Sequence, residues 1–143
     1  MIYLWIALGS ALGGVLRYGL SRMMTPVSGS FPWGTVVVNV IGCFVIGYFG
    51  TLTMASGKYA VSENVRIFVM VGICGGFTTF SAFTLQTFEL LRSGEWVRAI
   101  ANVIVSVMVC LIAVAAGQAF AHRSVESAAI AFKPATKSLR VDP

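Results

Sequence analysis

Long apolar stretches alternate with short polar segments along most of this chain. Four stretches are apolar over about 20 residues, the length that an α-helix needs to cross the hydrocarbon core of a bilayer. They cover residues 2–20, 34–54, 65–91 and 96–120. The pattern predicts an all-α membrane protein with four transmembrane helices.

The polar segments between the apolar stretches contain residues that end helices. The first segment, SRMMTPVSGSFPW, includes Pro26, Gly29 and Pro32, which we expect to act as breakers. The second segment is ASGKYAVSEN, and the third is the short turn RSGE, whose glycine is a helix stop signal. These separators predict that the four helices are joined by short loops.

The two ends of the chain differ in character. The C-terminal segment AHRSVESAAIAFKPATKSLRVDP is polar, basic and interrupted by Pro134. We expect a transmembrane domain at residues 1–120 and a dispensable tail at residues 121–143, either flexible or a short, fraying helical extension. At the other end, no Lys or Arg precedes the first apolar stretch, whereas a signal peptide begins with positive charge. We interpret that stretch as a retained transmembrane helix.

Composition supports a membrane environment. Hydrophobic residues make up 57% of the chain and charged residues only 10%, against about 25% charged in an ordinary soluble domain. The formal charge is +5, but the cations form no basic stripe of the kind that binds nucleic acid. We interpret them as juxtamembrane and tail charges, and we expect no nucleic-acid partner.

The cations give almost no signal for orientation in the membrane. Four spans place both termini on one side, and cytoplasmic loops normally carry the excess of Lys and Arg. Either the farther tail cations decide the orientation, or the chain inserts both ways and forms an antiparallel two-fold dimer. Near the membrane, the two sides carry nearly equal numbers of cations. Those on the side of the termini are Lys58, Arg66 and Arg123, and those on the opposite side are Arg22, Arg92 and Arg98, with Arg17 close by.

The third apolar stretch contains an unusual motif, GICGGFTTFSAFTLQTF. Gly72, Gly75 and Gly76 weaken a helix, and hydroxyl residues follow them. A broken transmembrane helix frees backbone groups, which are tolerated only inside protein or beside a cavity. We expect the third helix to be broken near its middle, and the alternative is an intact helix with a glycine packing notch. Phe80 and Phe83 share a face, and their positive ring edges could stabilise an anion.

Polar residues inside the other spans have two interpretations each. Arg17 either extends to the headgroups or supplies charge to a vestibule. Asn39 offers two amide donors to an anion, or makes a hydrogen bond between helices. Asn102, Ser106 and Cys110 lie four residues apart and form one polar stripe, which suits either a permeating anion or helix packing.

Several other functions find no motif in the sequence. There is no nucleophile elbow, phosphate-binding loop or carboxylate pair, so we expect no enzyme. His122 is the only histidine, and the three cysteines lack CxxC spacing. Two alternatives to a channel stay open: a proton-coupled exporter of the small dual-topology type, and a non-conducting packing subunit. The exporter would need a membrane-embedded carboxylate, and Glu89 lies near the end of its span.

Three motifs resemble the small fluoride channels called Fluc or CrcB. They are GGVLRYG in the first span, GTVVVNVIG in the second and GICGGFTTFSAFT in the third, which is the most specific. The resemblance covers the four spans, and the tail has no counterpart.

The resemblance implies a dual-topology homodimer in the bacterial inner membrane, with two pores for passive fluoride export, each lined by both subunits. It also implies a structural sodium ion at the dimer centre, held by the backbone carbonyls of Gly75 and Thr78. The family's first-span arginine, a vestibule or anchor residue, falls on Arg17. The implied pore residues are Asn39, Thr79, Phe80, Ser81, Phe83, Asn102 and Ser106.

The chain departs from the family pattern at a few positions. Ala82 stands where the family often has threonine, and Thr84 stands where serine is common. Gln86 replaces a common acidic residue, and Cys110 lies near a position that often carries a hydroxyl. These differences bear on conduction rate and the vestibule more than on selectivity for fluoride.

Overall fold

The computed structural model describes residues 1–54 and 61–131 of the 143-residue chain. Lys58 and most of the predicted second loop lie outside the described residues, as do residues 132–143 of the predicted tail. Helices and short turns make up the described part: α1 (Ile2–Ser28), α2 (Trp33–Leu52), α3 (Glu63–Ile67), a π-helical segment (Phe68–Ile73), α4 (Cys74–Phe77), α5 (Phe80–Arg92) and α6 (Trp96–Ala131).

Four helical stretches in these described residues are long and apolar enough to cross a membrane, by length and composition. The third of them runs from Glu63 to Arg92 and contains the interruption between α4 and α5. The prediction of an all-α membrane protein with four spanning helices is therefore confirmed. The prediction that the third helix is interrupted is confirmed as well. α6 continues past Phe120, where the sequence placed the end of the domain.

The first helix is longer than the sequence predicted. Pro26 lies inside α1 and does not end it. A proline lacks the amide that would bond to the carbonyl of Arg22, four residues earlier. Two hydroxyl groups near Pro26 bond to other carbonyls of α1, each one turn back. Thr25 donates to Ser21 at 3.2 Å and Ser28 donates to Met24 at 2.9 Å. The helix ends at Ser28, and its C-cap is Gly29, whose positive φ of 50° favours glycine.

Glycines bring α1 into direct backbone contact with the third span. A Cβ atom on Gly9 would lie 2.8 Å from Cα of Gly72, and one on Gly13 would lie 2.8 Å from the amide nitrogen of Phe77. Gly76 is equally close to α1. Two of the motif glycines, Gly72 and Gly76, are therefore packing positions, as the alternative interpretation of the motif expected.

A second glycine pair joins α2 to α6, the two most extensively packed helices. A Cβ atom on Gly117 would lie 2.8 Å from the amide nitrogen of Tyr48, and one on Gly47 would lie 3.2 Å from Cα of Val114. Close backbone approach through small residues is the usual way for helices to associate in lipid. The two pairings, α1 with the third span and α2 with α6, position the interruption between them.

The interruption of the third span lies just after the glycines. Thr78 and Thr79 have extended backbones, with ψ angles of 157° and 111°. The sequence attributed the break to Gly72, Gly75 and Gly76, which weaken a helix, but Gly75 is still helical. The break lies at Thr78 and Thr79 because side chains form hydrogen bonds to the backbone of Thr79 and to that of the following helix. Weak helix propensity at the glycines does not determine its position.

The glycine contacts predict a sharp difference between two adjacent residues of α1. We expect Gly13→Ala to lower the free energy of unfolding by about 1–3 kcal/mol, because its methyl group would overlap the backbone of the third span. Gly14→Ala is the matched control, since a Cβ atom there meets nothing within 4 Å. This substitution should not destabilise the protein, because alanine has a higher helix propensity than glycine. Thermal unfolding in detergent measures both. Equal melting temperatures for the two variants would contradict the proposed packing.

Candidate functional site

Asn39 on α2 holds the interruption of the third span. Its Oδ1 accepts a hydrogen bond of 2.7 Å from the amide of Thr79, and its Nδ2 donates one of 3.2 Å to the carbonyl of Thr79. One side-chain amide thus satisfies both backbone groups of an extended residue inside the membrane-spanning region. Since Nδ2 carries two hydrogens, one N–H of Asn39 remains available to another acceptor.

The hydroxyl of Thr79 starts the next helix. It accepts a hydrogen bond of 3.1 Å from the amide of Ala82, an N-cap interaction. It also lies 3.2 Å from the hydroxyl of Ser81. The two predicted pore hydroxyls, Thr79 and Ser81, are therefore adjacent at the N-terminus of α5.

These contacts leave two backbone carbonyls without their usual helical donors. In a continuous helix, the amide of Thr79 would bond to the carbonyl of Gly75, and the amide of Ala82 would bond to that of Thr78. Both amides donate to side chains instead, to Asn39 and to Thr79 respectively. The two carbonyls freed in this way belong to Gly75 and Thr78, to which the family resemblance assigns a sodium ion.

Arg17 satisfies a third carbonyl of the interruption. Its Nε donates a hydrogen bond of 3.2 Å to the carbonyl of Gly76, across α1 and the third span. This carbonyl lies in the last turn of α4, where unsatisfied carbonyl groups favour a positive charge. Arg17 therefore contacts the interruption directly, while its side chain also lines a polar cavity on the same side of the protein.

A groove of 360 Å³ lies beside the interruption, between α2, the third span and α6. Phe80 and Phe83 line it with ring centroids 5.5 Å apart and ring planes tilted by 44°. Phe80 is 76% exposed, whereas Phe83 is 8% exposed. Seven of the predicted site residues line this groove: Asn39, Gly75, Thr78, Thr79, Phe80, Phe83 and Ser106.

The remaining predicted residues lie near the groove without lining it. Asn102 is 1% exposed and donates a hydrogen bond of 2.8 Å from Nδ2 to the hydroxyl of Thr87. Ser106 donates one of 3.3 Å to Oδ1 of Asn102. The polar stripe of α6 thus acts in part as a hydrogen-bonded connection to α5, one of the two interpretations of the stripe. Ser81 is exposed beside Thr79.

The sequence did not single out Thr87, the partner of Asn102. Thr87 also donates a hydrogen bond of 2.7 Å to the carbonyl of Phe83, one turn back. Its spacing of four residues from Phe83 places both on one helix face, which is the signal that could have identified it.

A larger cavity of 690 Å³, which we call the vestibule, lies on the α1 side of the interruption. Arg17, Arg22 and Glu89 line it, so cations outnumber acidic groups among its described lining residues. Gln86 also lines it, and its buried Oε1 has no hydrogen-bond partner among the described residues. Thr79 lines both the vestibule and the groove, so the two cavities adjoin at the residue that Asn39 holds.

The groove and the vestibule differ in their chemistry. The described lining of the groove contains no Asp, Glu, Lys, Arg or His side chain. It offers one amide N–H, the hydroxyl of Thr79, thiols and ring edges, which are neutral partners for an ion. The hydroxyls of Thr78 and Ser106 already donate to the Cys74 carbonyl and to Asn102. The vestibule adds positive charge, which raises the local concentration of anions. The arrangement can attract an anion and coordinate it weakly.

Comparison with known proteins identifies the family. Residues 4–118 match the family described as CrcB-like protein, Camphor Resistance (CrcB). A protein named fluoride-specific ion channel FluC from Methylobacterium radiotolerans is 54% identical over 116 residues, which are 81% of each chain. One of the same name from Methylocella silvestris is 53% identical over 85% of this chain and 93% of its own.

A third relative is as similar as the first two. The protein named fluoride-specific ion channel FluC from Opitutus terrae is 55% identical over 114 residues, covering 79% of this chain and 86% of its own. The aligned length and the identity leave no doubt about homology across the membrane-spanning part. The chain therefore belongs to the CrcB family.

Proposed function

We propose that this protein is a fluoride-selective channel, which lets fluoride leave the cell passively and so relieves fluoride toxicity. The observation that carries the proposal is the identity of 53–55% to relatives named fluoride-specific ion channels. The family match at residues 4–118 includes parts of all four membrane-length helices. We place the protein in the bacterial inner membrane as a multi-pass protein.

The site chemistry supports passive conduction of a small anion. Transfer of a carboxylate-sized ion into a medium of low dielectric constant costs about 20 kcal/mol in the Born limit, and the smaller fluoride ion costs more. The free N–H of Asn39 and the ring edges of Phe80 and Phe83 can replace part of the lost water. A channel must also release its ion, and neutral donors suit that requirement better than a fixed counter-charge.

The physiological direction follows from acid–base chemistry. Hydrogen fluoride, a weak acid, crosses the membrane from an acidic medium and dissociates inside the cell. Fluoride then leaves through the channel, driven by the membrane potential. The proton-coupled alternative finds no support, because the described lining of the groove has no carboxylate and Glu89 lies on the vestibule side. The relatives are named fluoride-specific ion channels, so they give no support to the alternative of a non-conducting packing subunit.

Purified protein in liposomes tests the proposal directly. Liposomes loaded with potassium fluoride are diluted into a medium without potassium, and an electrode records released fluoride. We expect rapid release on addition of valinomycin, because potassium efflux then balances the charge of the leaving anion. A parallel chloride experiment should give no release. Comparable chloride flux, release driven only by a pH gradient, or no flux would contradict the proposal.

The phenyl rings have a matched set of variants on one helix. We expect Phe80→Ile and Phe83→Ile to reduce fluoride release by about tenfold or more, which corresponds to about 1.4 kcal/mol in the barrier. Isoleucine keeps the apolar bulk but has no positive ring edge. Phe88→Ile is the control, because Phe88 is exposed on α5 and does not line the groove. Equal flux in all three variants would remove the role of the ring edges.

We propose further that two chains form an antiparallel homodimer of dual topology. The groove is not enclosed by one chain, and the Phe80 side chain beside it is 76% exposed. A charged ion in a groove open to lipid would have a prohibitive desolvation cost. A second copy, related by a two-fold axis, would close each groove with its own residues. The even distribution of cations permits both orientations.

Topology reporters test the dimer proposal in cells. We expect C-terminal fusions to alkaline phosphatase, active outside the cytoplasm, and to green fluorescent protein, fluorescent inside it, both to give signal. Adding a cation on the side opposite the termini, with Ser93→Arg, should shift the ratio strongly, because the native balance is close. Signal from only one reporter in the unaltered protein would end the dual-topology proposal.

A structural sodium ion at the dimer centre is also part of the proposal. The residues fit such an ion, since the carbonyls of Gly75 and Thr78 have lost their helical donors. A Cβ atom on Gly75 would meet nothing within 4 Å, so space is open there. Two carbonyls from each chain would give four oxygen ligands around a two-fold axis. Oxygen atoms are the ligands that hard cations prefer.

Sodium removal tests this part of the proposal. We expect replacement of sodium by N-methyl-D-glucamine throughout purification to reduce fluoride release and weaken the dimer, because the freed carbonyls would then face one another unneutralised. Restoring sodium should reverse the loss. Gel filtration and the liposome assay measure the two effects, and full activity of exhaustively sodium-free protein would count against the ion.

A further inference from the structure

The three cysteines of this chain all reach the groove, although they come from three different spans. Cys43 lies on α2, Cys74 on α4 and Cys110 on α6. All are free thiols, and all line the groove together with Asn39 and the phenyl rings. The proposed fluoride conduction uses none of them. The three thiols are therefore a feature of the groove that the proposed conduction does not explain.

Two of the three cysteines lie on the closely packed helices α2 and α6. Cys43 and Cys110 each lie one turn before Gly47 and Val114, the residues at which the two backbones approach closely, and both line the groove. Both are partly exposed, whereas Cys74 is 3% exposed. The close approach of α2 and α6 through their glycines fixes the distance between the two backbones. The fold therefore keeps Cys43 and Cys110 on neighbouring turns of two packed helices.

The ligand set determines which metal ions could bind. Within the described residues, no group of three His, Cys, Asp or Glu side chains is placed to hold a metal ion. Zinc, which normally takes four ligands, therefore lacks a site. Soft cations prefer sulfur, and several of them form stable linear complexes with only two sulfur ligands.

The charge balance suits a membrane interior. When each sulfur bonds to a divalent ion such as Hg²⁺, its thiol proton passes to water. The ion and two thiolates then form a complex without net charge, with no change of oxidation state. A neutral complex avoids the cost of an isolated ion in a medium of low dielectric constant. Univalent silver or copper reaches the same neutrality with one thiolate and one thiol.

We propose that Cys43 and Cys110 form a two-coordinate site for a soft, thiophilic metal cation in the wall of the groove. The bound ion would occupy part of the groove, whose lining also includes Ser106, Val107 and Phe83. Its effect on conduction rests on the proposed function, since it follows only if fluoride passes through this groove. The binding site itself does not depend on that function.

Mercury binding tests the site without any transport assay. Reduced, purified full-length protein is mixed with a small excess of HgCl₂ and then passed through a desalting column containing a monothiol competitor. We expect about one mercury ion to remain per chain, because two sulfur ligands outcompete one. Elemental analysis counts the metal. Titration of thiols after denaturation without reductant should show Cys43 and Cys110 protected and Cys74 reactive.

Single serine variants identify the ligands. C43S and C110S should each retain about tenfold less mercury per chain than the unaltered protein under the same competition, since only one thiol of the pair remains in each variant. C74S is the matched control from the same groove and should retain mercury as the unaltered protein does. Equal loss in C74S, or full retention in C43S and C110S, would overturn the proposed pair.

Fluoride release from liposomes then separates the two proposals. We expect HgCl₂ to reduce release by the unaltered protein and by C74S by about tenfold or more, and to leave C43S and C110S active. Mercury retained with undiminished fluoride release would support the metal site and contradict conduction through the groove. Inhibition that persists in both C43S and C110S would contradict the site.

Discussion

Every backbone group that leaves a helix within a membrane must find a partner inside the protein. The remainder of this structure depends on how that constraint is met at Thr79. Asn39 satisfies both its amide and its carbonyl, which permits an extended residue between two helices. The same hydrogen bonds withdraw a donor from the Gly75 carbonyl. A single asparagine therefore makes the interruption stable and leaves a carbonyl exposed beside it.

The glycines have a different role from the one that their helix propensity suggests. Gly72 and Gly76 bring the third span against α1, and Gly47 brings α2 against α6. These contacts place Asn39 and Arg17 within hydrogen-bonding distance of the interruption. The motif glycines therefore act through packing, and only Gly75, which meets no neighbour within 4 Å, is free for another role.

The number and type of spanning helices could be predicted from the sequence, because apolar length alone decides them in a bilayer. The family resemblance indicated half of the residues that line the groove. The exact site of the interruption could not be predicted, since it depends on Asn39, which lies forty residues earlier in the chain. The bond from Asn102 to Thr87 likewise depends on a tertiary contact that helix propensity does not encode.

Hydrogen-bond use around the groove limits how strongly it can hold an anion. Ser106 already donates its hydroxyl hydrogen to Asn102, and Asn39 has committed one of its two N–H groups to Thr79. The donors left for an ion are therefore few, and they are neutral. Strong attraction for the anion must then come from the vestibule, where the positive charges of Arg17 and Arg22 outnumber the negative charge of Glu89. This division, with concentration of anions in the vestibule and weak coordination in the groove, favours rapid passage over retention.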